Sequence, residues 1–161
     1  MKPLQLLALS SLAVCLCAQA EIPSEKYLPL SVSTEIASAT VKACTAKGYN
    51  VTAAVVDRAG GVRVVMRADK AGPHTLDSAR RKAYTSASTK RSTSEILENV
   101  QKNPASQHLP MIDGFLILAG GVPIKVGDEV IGAVGVGGAP GGHLDEQCAN
   151  AGLEAVKDQL K

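Results

Sequence analysis

Two tight turns constrain this chain more than any other feature. Arg58-Ala59-Gly60-Gly61 separates the run Asn50–Asp57 from Val62–Arg67, and Gly127-Asp128 separates Val122–Val126 from Glu129–Val136. Connections this short join strands running in opposite directions, so the sheet is expected to be antiparallel. The stretch Ala53-Ala54-Val55-Val56 is apolar at successive positions. That pattern suits a strand covered on both faces, so helices are expected on both sides of the sheet.

The remaining segments supply those helices. Pro23 and Pro29 oppose helix, which makes 21–30 an extended lead-in. Val32, Ile36, Thr40, Val41 and Cys44 then recur at helical spacing, with Ser31 as the expected N-cap and Gly48 at the C-terminal end. A second helix is expected from about Leu76, where Ala79, Ala83 and Ala87 form a stripe of small residues on one side. Ser92 and Glu95 form a capping box for a short helix that Pro104 closes. Residues 104–114 read as irregular. Phe115–Leu118 reads as a strand, and Pro123 marks the strand after it as an edge. A glycine-rich loop, Gly137–Gly142, leads into a terminal helix from His143 or Leu144 to Lys161. The expected fold is α/β of the α+β type: a five-stranded antiparallel sheet flanked by helices.

The N-terminus has a separate purpose. Lys2, an apolar run from Leu4 through Ala18, and the small-x-small end Ala18-Gln19-Ala20 have the layout of a cleavable secretory signal. The run is short for a membrane span, and Val14 is bulky for the position before a lipidated Cys15. Residues 1–20 are therefore expected to be removed, leaving 21–161 as one domain that works in the periplasm or is secreted, with no membrane attachment. The formal net charge of +2, from 17 basic and 15 acidic residues, gives no basis for nucleic-acid binding. Three Tyr, one Phe and no Trp leave little for a base-stacking platform. Cys44 and Cys148 remain after the signal is cut. In an oxidising compartment a bridge between the first and last helices is expected, the alternative being two separately buried thiols.

Few residues carry chemistry. The loop Gly137–Gly142 sits between a strand and a helix, where glycines permit close approach of a ligand and a helix start offers amides to a carboxylate. Asp145, in the first turn of the last helix, suits the helix dipole. His74, His108 and His143 lie in loops or at helix starts, without the i, i+4 spacing of a helical zinc site. A single histidine suffices as an axial haem ligand. Arg80, Arg81 and Lys82, beside the alanine stripe, either pair with ligand carboxylates or form a solvated face. No nucleophile elbow or triad order is visible. From these residues alone, a small carboxylated metabolite in the glycine loop and a ligand-free interaction subunit both remain open.

Several motifs in order narrow the choice. Ala54-Val55-Val56-Asp57 is followed by Gly60-Gly61, then by Arg67-Ala68-Asp69, Gly72-Pro73-His74-Thr75 and Ala79-Arg80-Arg81-Lys82-Ala83-Tyr84-Thr85. Gly120-Gly121-Val122-Pro123-Ile124, Gly127, Ile131-Gly132-Ala133-Val134-Gly135-Val136, Gly137-Gly138-Ala139-Pro140, Asp145 and Cys148-Ala149 come after. From roughly Leu30 to Leu160 this resembles the GlcG/HbpS family of haem-binding proteins, related to the C-terminal domain of PduO. The resemblance implies a profilin-like antiparallel sheet flanked by helices, assembly into homo-oligomers, and haem as cofactor. The iron ligand varies among relatives, so position in this chain orders the candidates: His74, in the matched segment ahead of the helix carrying Lys82 and Ala83, is the first and His143, at the mouth of the glycine loop, the second, with Arg80, Lys82, Gly137 and Gly138 as further candidate contacts. One departure is Gly137, where relatives usually carry Ser.

Overall fold

The computed structural model describes Ile22 and residues 24–161. The segment read as an export signal and its cleavage point lie outside the described residues. Helix α1 spans Leu30–Thr45, strands β1 and β2 span Thr52–Asp57 and Val62–Arg67, and helices α2 and α3 span His74–Thr89 and Thr93–Lys102. Strands β3 and β4 then cover Gly121–Val126 and Glu129–Gly137, and α4 covers Gly142–Ala155. No helix among the described residues is long and apolar enough to cross a membrane.

The sheet is antiparallel throughout, in the order β2-β1-β4-β3, and has four strands where five were expected. Phe115–Leu118 is not a strand. The Leu116 amide donates to Thr85 Oγ1 and the Leu118 amide to the carbonyl of Leu116. The Phe115 carbonyl accepts from the Arg81 guanidinium. A segment whose backbone groups are taken by side chains and by its own turn has none left for a ladder. Pro123 does lie on an edge strand, β3. The cap of α1 also differs: Pro29 holds that place, and Ser33 Oγ donates to the Pro29 carbonyl at 2.9 Å.

The two faces of the sheet differ in the size of their side chains. Val55 of β1, Val134 and Val136 of β4, and Val122, Ile124 and Val126 of β3 pack with Ile36 and Cys44 of α1 and Cys148 and Ala149 of α4. Each fully buried Val or Ile here is worth roughly 1.5–3 kcal/mol relative to exposure. On the other face, Val56 and Ala133 meet Ala83 and Ala87 of α2. Alternate residues of β4 on this face are Ala133, Gly135 and Gly137. A Cβ on Gly135 would lie 2.1 Å from the Ala79 carbonyl oxygen and 2.5 Å from the Ala83 nitrogen. The alanine stripe of α2 thus sits directly on a strand stripped of side chains.

Gly137 extends this contact toward the N-terminal end of α2, since a Cβ there would stand 2.4 Å from Ser78 Oγ. Gly137→Ala is expected to cost about 1–2 kcal/mol through overpacking. Adding Ser78→Ala, which removes the opposing hydroxyl, should recover most of the loss. Urea midpoints of the two variants check this; equal loss with and without Ser78→Ala would place the strain elsewhere.

Candidate functional site

Two charged side chains meet in the interior. Lys82 of α2 is 1% exposed and Asp145, in the first turn of α4, is 3% exposed. Lys82 Nζ lies 2.7 Å from Asp145 Oδ2 and donates also to the Val136 carbonyl at 2.8 Å. Asp145 Oδ1 accepts the Ala139 amide at 2.9 Å. The pair therefore ties α2, the end of β4, the glycine loop and α4 at one point. Burial pushes the Asp145 carboxyl above the usual carboxylate range, against the pull of the neighbouring Lys82 ammonium. Gly120, at φ +120°, leaves room for it: a Cβ there would lie 2.7 Å from Asp145 Cβ and 3.0 Å from Lys82 Nζ.

This arrangement corrects two expectations. Lys82 is not on a solvated helix face, and its ammonium is spent on internal partners. Arg80, by contrast, is exposed and pairs with Asp77 at 2.8 Å. The glycine loop is also used internally. A Cβ on Gly138 would meet the Asn50 carbonyl oxygen at 2.6 Å. The Leu144 and Asp145 amides donate to the Gly141 carbonyl, and Ala139 gives its amide to Asp145. An incoming carboxylate would find these three donors occupied and would meet the Asp145 carboxylate beside them.

The histidines are all exposed. His74 opens α2 and stacks over Gly72, where a Cβ would come within 2.7 Å of its Cε1. His143 stands in the first turn of α4 and packs back over Gly141 in the same way, at 2.8 Å. Neither ring makes a hydrogen bond among the described residues, whereas His108 Nε2 is 3.3 Å from Gln107 Nε2. The described residues hold no cluster of three or more His, Cys, Asp or Glu that would bind a bare metal ion. Clefts of about 320 and 300 Å³ flank Tyr27 at the far end of the sheet, over Leu28 and Ile131 or Val126, with no histidine in either wall.

The expected bridge is present: Cys44 and Cys148 form a disulfide with Cα atoms 5.4 Å apart. It joins α1 to α4.

Sheet order, the small-residue face under α2 and the buried lysine–aspartate tie define a mixed α+β domain with an antiparallel sheet between helices. Within that class the chain belongs to the HbpS-like family: the model described as haem degrading protein HbpS-like matches residues 28–154. It is similar to a double mutant of HbpS from Streptomyces reticuli, at 39% identity over 91% of this chain and 99% of that one, with a TM-score of 0.79. It is also similar to protein ORFY of Klebsiella pneumoniae, at 28% identity over 87% and 98% of the two chains, with a TM-score of 0.81. The fold is shared further with a PduOC–haem complex, at 21% identity, 81% and 95% coverage and a TM-score of 0.72.

Proposed function

We propose that this chain is an exported haem-binding protein that stores, delivers or senses haem, with His74 as the first candidate for the iron ligand and His143 as the second. The observation that carries the reading is the pair of exposed imidazoles at the starts of α2 and α4. Their nitrogens are committed to nothing else among the described residues. Histidine is a proximal haem ligand in globins and peroxidases. The name of the matching family and the haem held by the PduOC relative support the same ligand. The signal-like N-terminus and the disulfide support export, because such bonds persist in oxidising compartments. Self-association is part of the reading: both imidazoles stand at the surface, and a second copy is the natural cover for a ligand there. Haem, once bound, supplies iron-centred redox chemistry; this chain supplies the ligand atom and the surface.

Titrating the metal-free protein with hemin tests the proposal. A saturable Soret shift at one haem per chain and micromolar concentration is expected. His74→Ala should change the band and weaken binding by about tenfold or more, since losing even a group that only supports a metal ligand costs about that much. An unchanged band in His74→Ala moves the assignment to His143, where the same substitution then has to change it. No Soret shift in the wild type overturns haem binding.

A further inference from the structure

The α2 face of the sheet is not fully covered. Helix α2 lies over β1, β4 and β3, and the outer strand β2 is left beside it. Val65 pairs with Ala54 and Val62 with Val56, and Val56 packs on α2, so Val65 and Val62 belong to this face. They are 41% and 50% exposed. The neighbouring side of α2 continues the apolar surface. Tyr84 rests on Gly60 of the β1–β2 turn and Thr75 Oγ1 bonds Thr52 Oγ1 at the other end of β1. Leu76, Arg80 and Tyr84 follow one another at i, i+4 and i+8 and share the flank turned toward β2. Leu76 is 42% exposed.

Cations border this surface near His74. Arg67 pairs with Thr52 and so lies on the same face. Its Nε donates to the Ala71 carbonyl at 3.0 Å, three residues before His74. Arg80 is held only by an exposed i, i+3 pair with Asp77, a contact worth little in water. An apolar strip with an available imidazole at one end and two guanidiniums at its margin suits a flat apolar ring that carries carboxylates.

We propose that the tetrapyrrole docks on this open half of the sheet, its ring against Val62, Val65 and Leu76 and its carboxylates toward Arg80 and Arg67. The inference rests on the haem reading and adds the face, the ring contacts and the carboxylate partners. It is also specific about orientation: the acid edge lies between Arg80 of α2 and Arg67 at the end of β2.

Hemin and hemin dimethyl ester are titrated into wild type, Val65→Glu, Leu76→Glu, Arg80→Ala and, as a control at an exposed apolar site on α1 across the sheet, Leu30→Glu. Val65→Glu and Leu76→Glu are each expected to weaken hemin by about tenfold or more, because a carboxylate would be buried under the ring. Arg80→Ala should weaken hemin about threefold and leave the ester unchanged, since only the free acid can pair. Leu30→Glu should change nothing. Circular dichroism confirms that each variant is folded, and the two glutamate variants on different elements guard against failure of one. Wild-type binding with no effect of Val65→Glu or Leu76→Glu overturns the face while leaving haem binding standing. Equal loss in Leu30→Glu overturns it as non-specific adsorption. A changed oligomeric state in Val65→Glu with unchanged hemin affinity assigns the face to a contact between copies. No binding to the wild type overturns both.

Discussion

Replacing Lys82 by Met is expected to destabilise the protein by about 3–5 kcal/mol, because it leaves the Asp145 carboxylate buried without its cation. Asp145→Asn should cost a similar amount for a different reason. The carboxylate accepts on both oxygens, from Lys82 Nζ and from the Ala139 amide. An asparagine accepts on one oxygen only and turns an NH2 group toward the other donor. The double variant Lys82→Met/Asp145→Leu should recover much of the loss, since buried ion pairs exchanged for apolar pairs are often near neutral. Denaturant midpoints of the three variants measure this. Additive losses in the double variant would show that the two side chains do not act as a pair.

The pH dependence of Lys82→Met sharpens the test. Burial already pushes the Asp145 carboxyl up, and Lys82 is the opposing influence. Without Lys82 the folded protein binds a proton at this site more tightly than the unfolded chain does. Stability then falls as pH rises through the gap between the two states and recovers as pH is lowered toward the unfolded value. The deficit of Lys82→Met relative to wild type should therefore shrink on acidification from about pH 7 to about pH 5. A deficit independent of pH would mean that Asp145 finds another cation or water in the variant.

Much of this fold was legible because hairpin turns and helical periods are local. The pairing of β1 with β2 and of β3 with β4 follows from turns a few residues long, and both are observed. The edge position of β3 followed from the missing amide of Pro123. The spurious strand at Phe115–Leu118 shows the limit: its apolar composition is strand-like, but Thr85 Oγ1 and the Arg81 guanidinium claim its backbone groups from another element. No pattern within the segment records that competition.

The candidate site was less legible. Glycines at Gly135, Gly137 and Gly138 look like a ligand loop when read as a run. Read with the two-residue period of a strand, Ala133, Gly135 and Gly137 are the small side of β4, matched to Ala79 and Ala83 of α2. That signal was available in the sequence. So was a hint about Lys82, which stands beside Ala79 and Ala83 on the inner side of its helix rather than opposite them. Its partner was not legible, because Asp145 is brought to it only by tertiary packing 63 residues further on. The open face beside β2 was hidden for the same reason: which strand a helix leaves uncovered depends on the strand order.

The disulfide should be the larger single contributor to stability. Cys44 and Cys148 are separated by 104 residues, so the bond removes a long loop from the unfolded ensemble. Chain-entropy arguments put such a constraint at about 4–5 kcal/mol. Cys44→Ala/Cys148→Ala is expected to lose that amount, a large fraction of the roughly 5–15 kcal/mol of an ordinary domain. The melting temperature should fall by on the order of 10 °C or more. The bond also bears on a contact that has little tolerance: α1 and α4 approach so closely that a Cβ on Gly152 would lie 2.0 Å from Thr40 Oγ1. Losing the bond should accordingly increase amide exchange first along this helix pair. Both cysteines are fully buried, so dithiothreitol can reach them only when the helices part. Reduction of the native protein should be slow and should accelerate with denaturant in step with unfolding. Rapid reduction under native conditions, or a loss below about 1 kcal/mol in the double variant, would show that the helix pair holds without the bond.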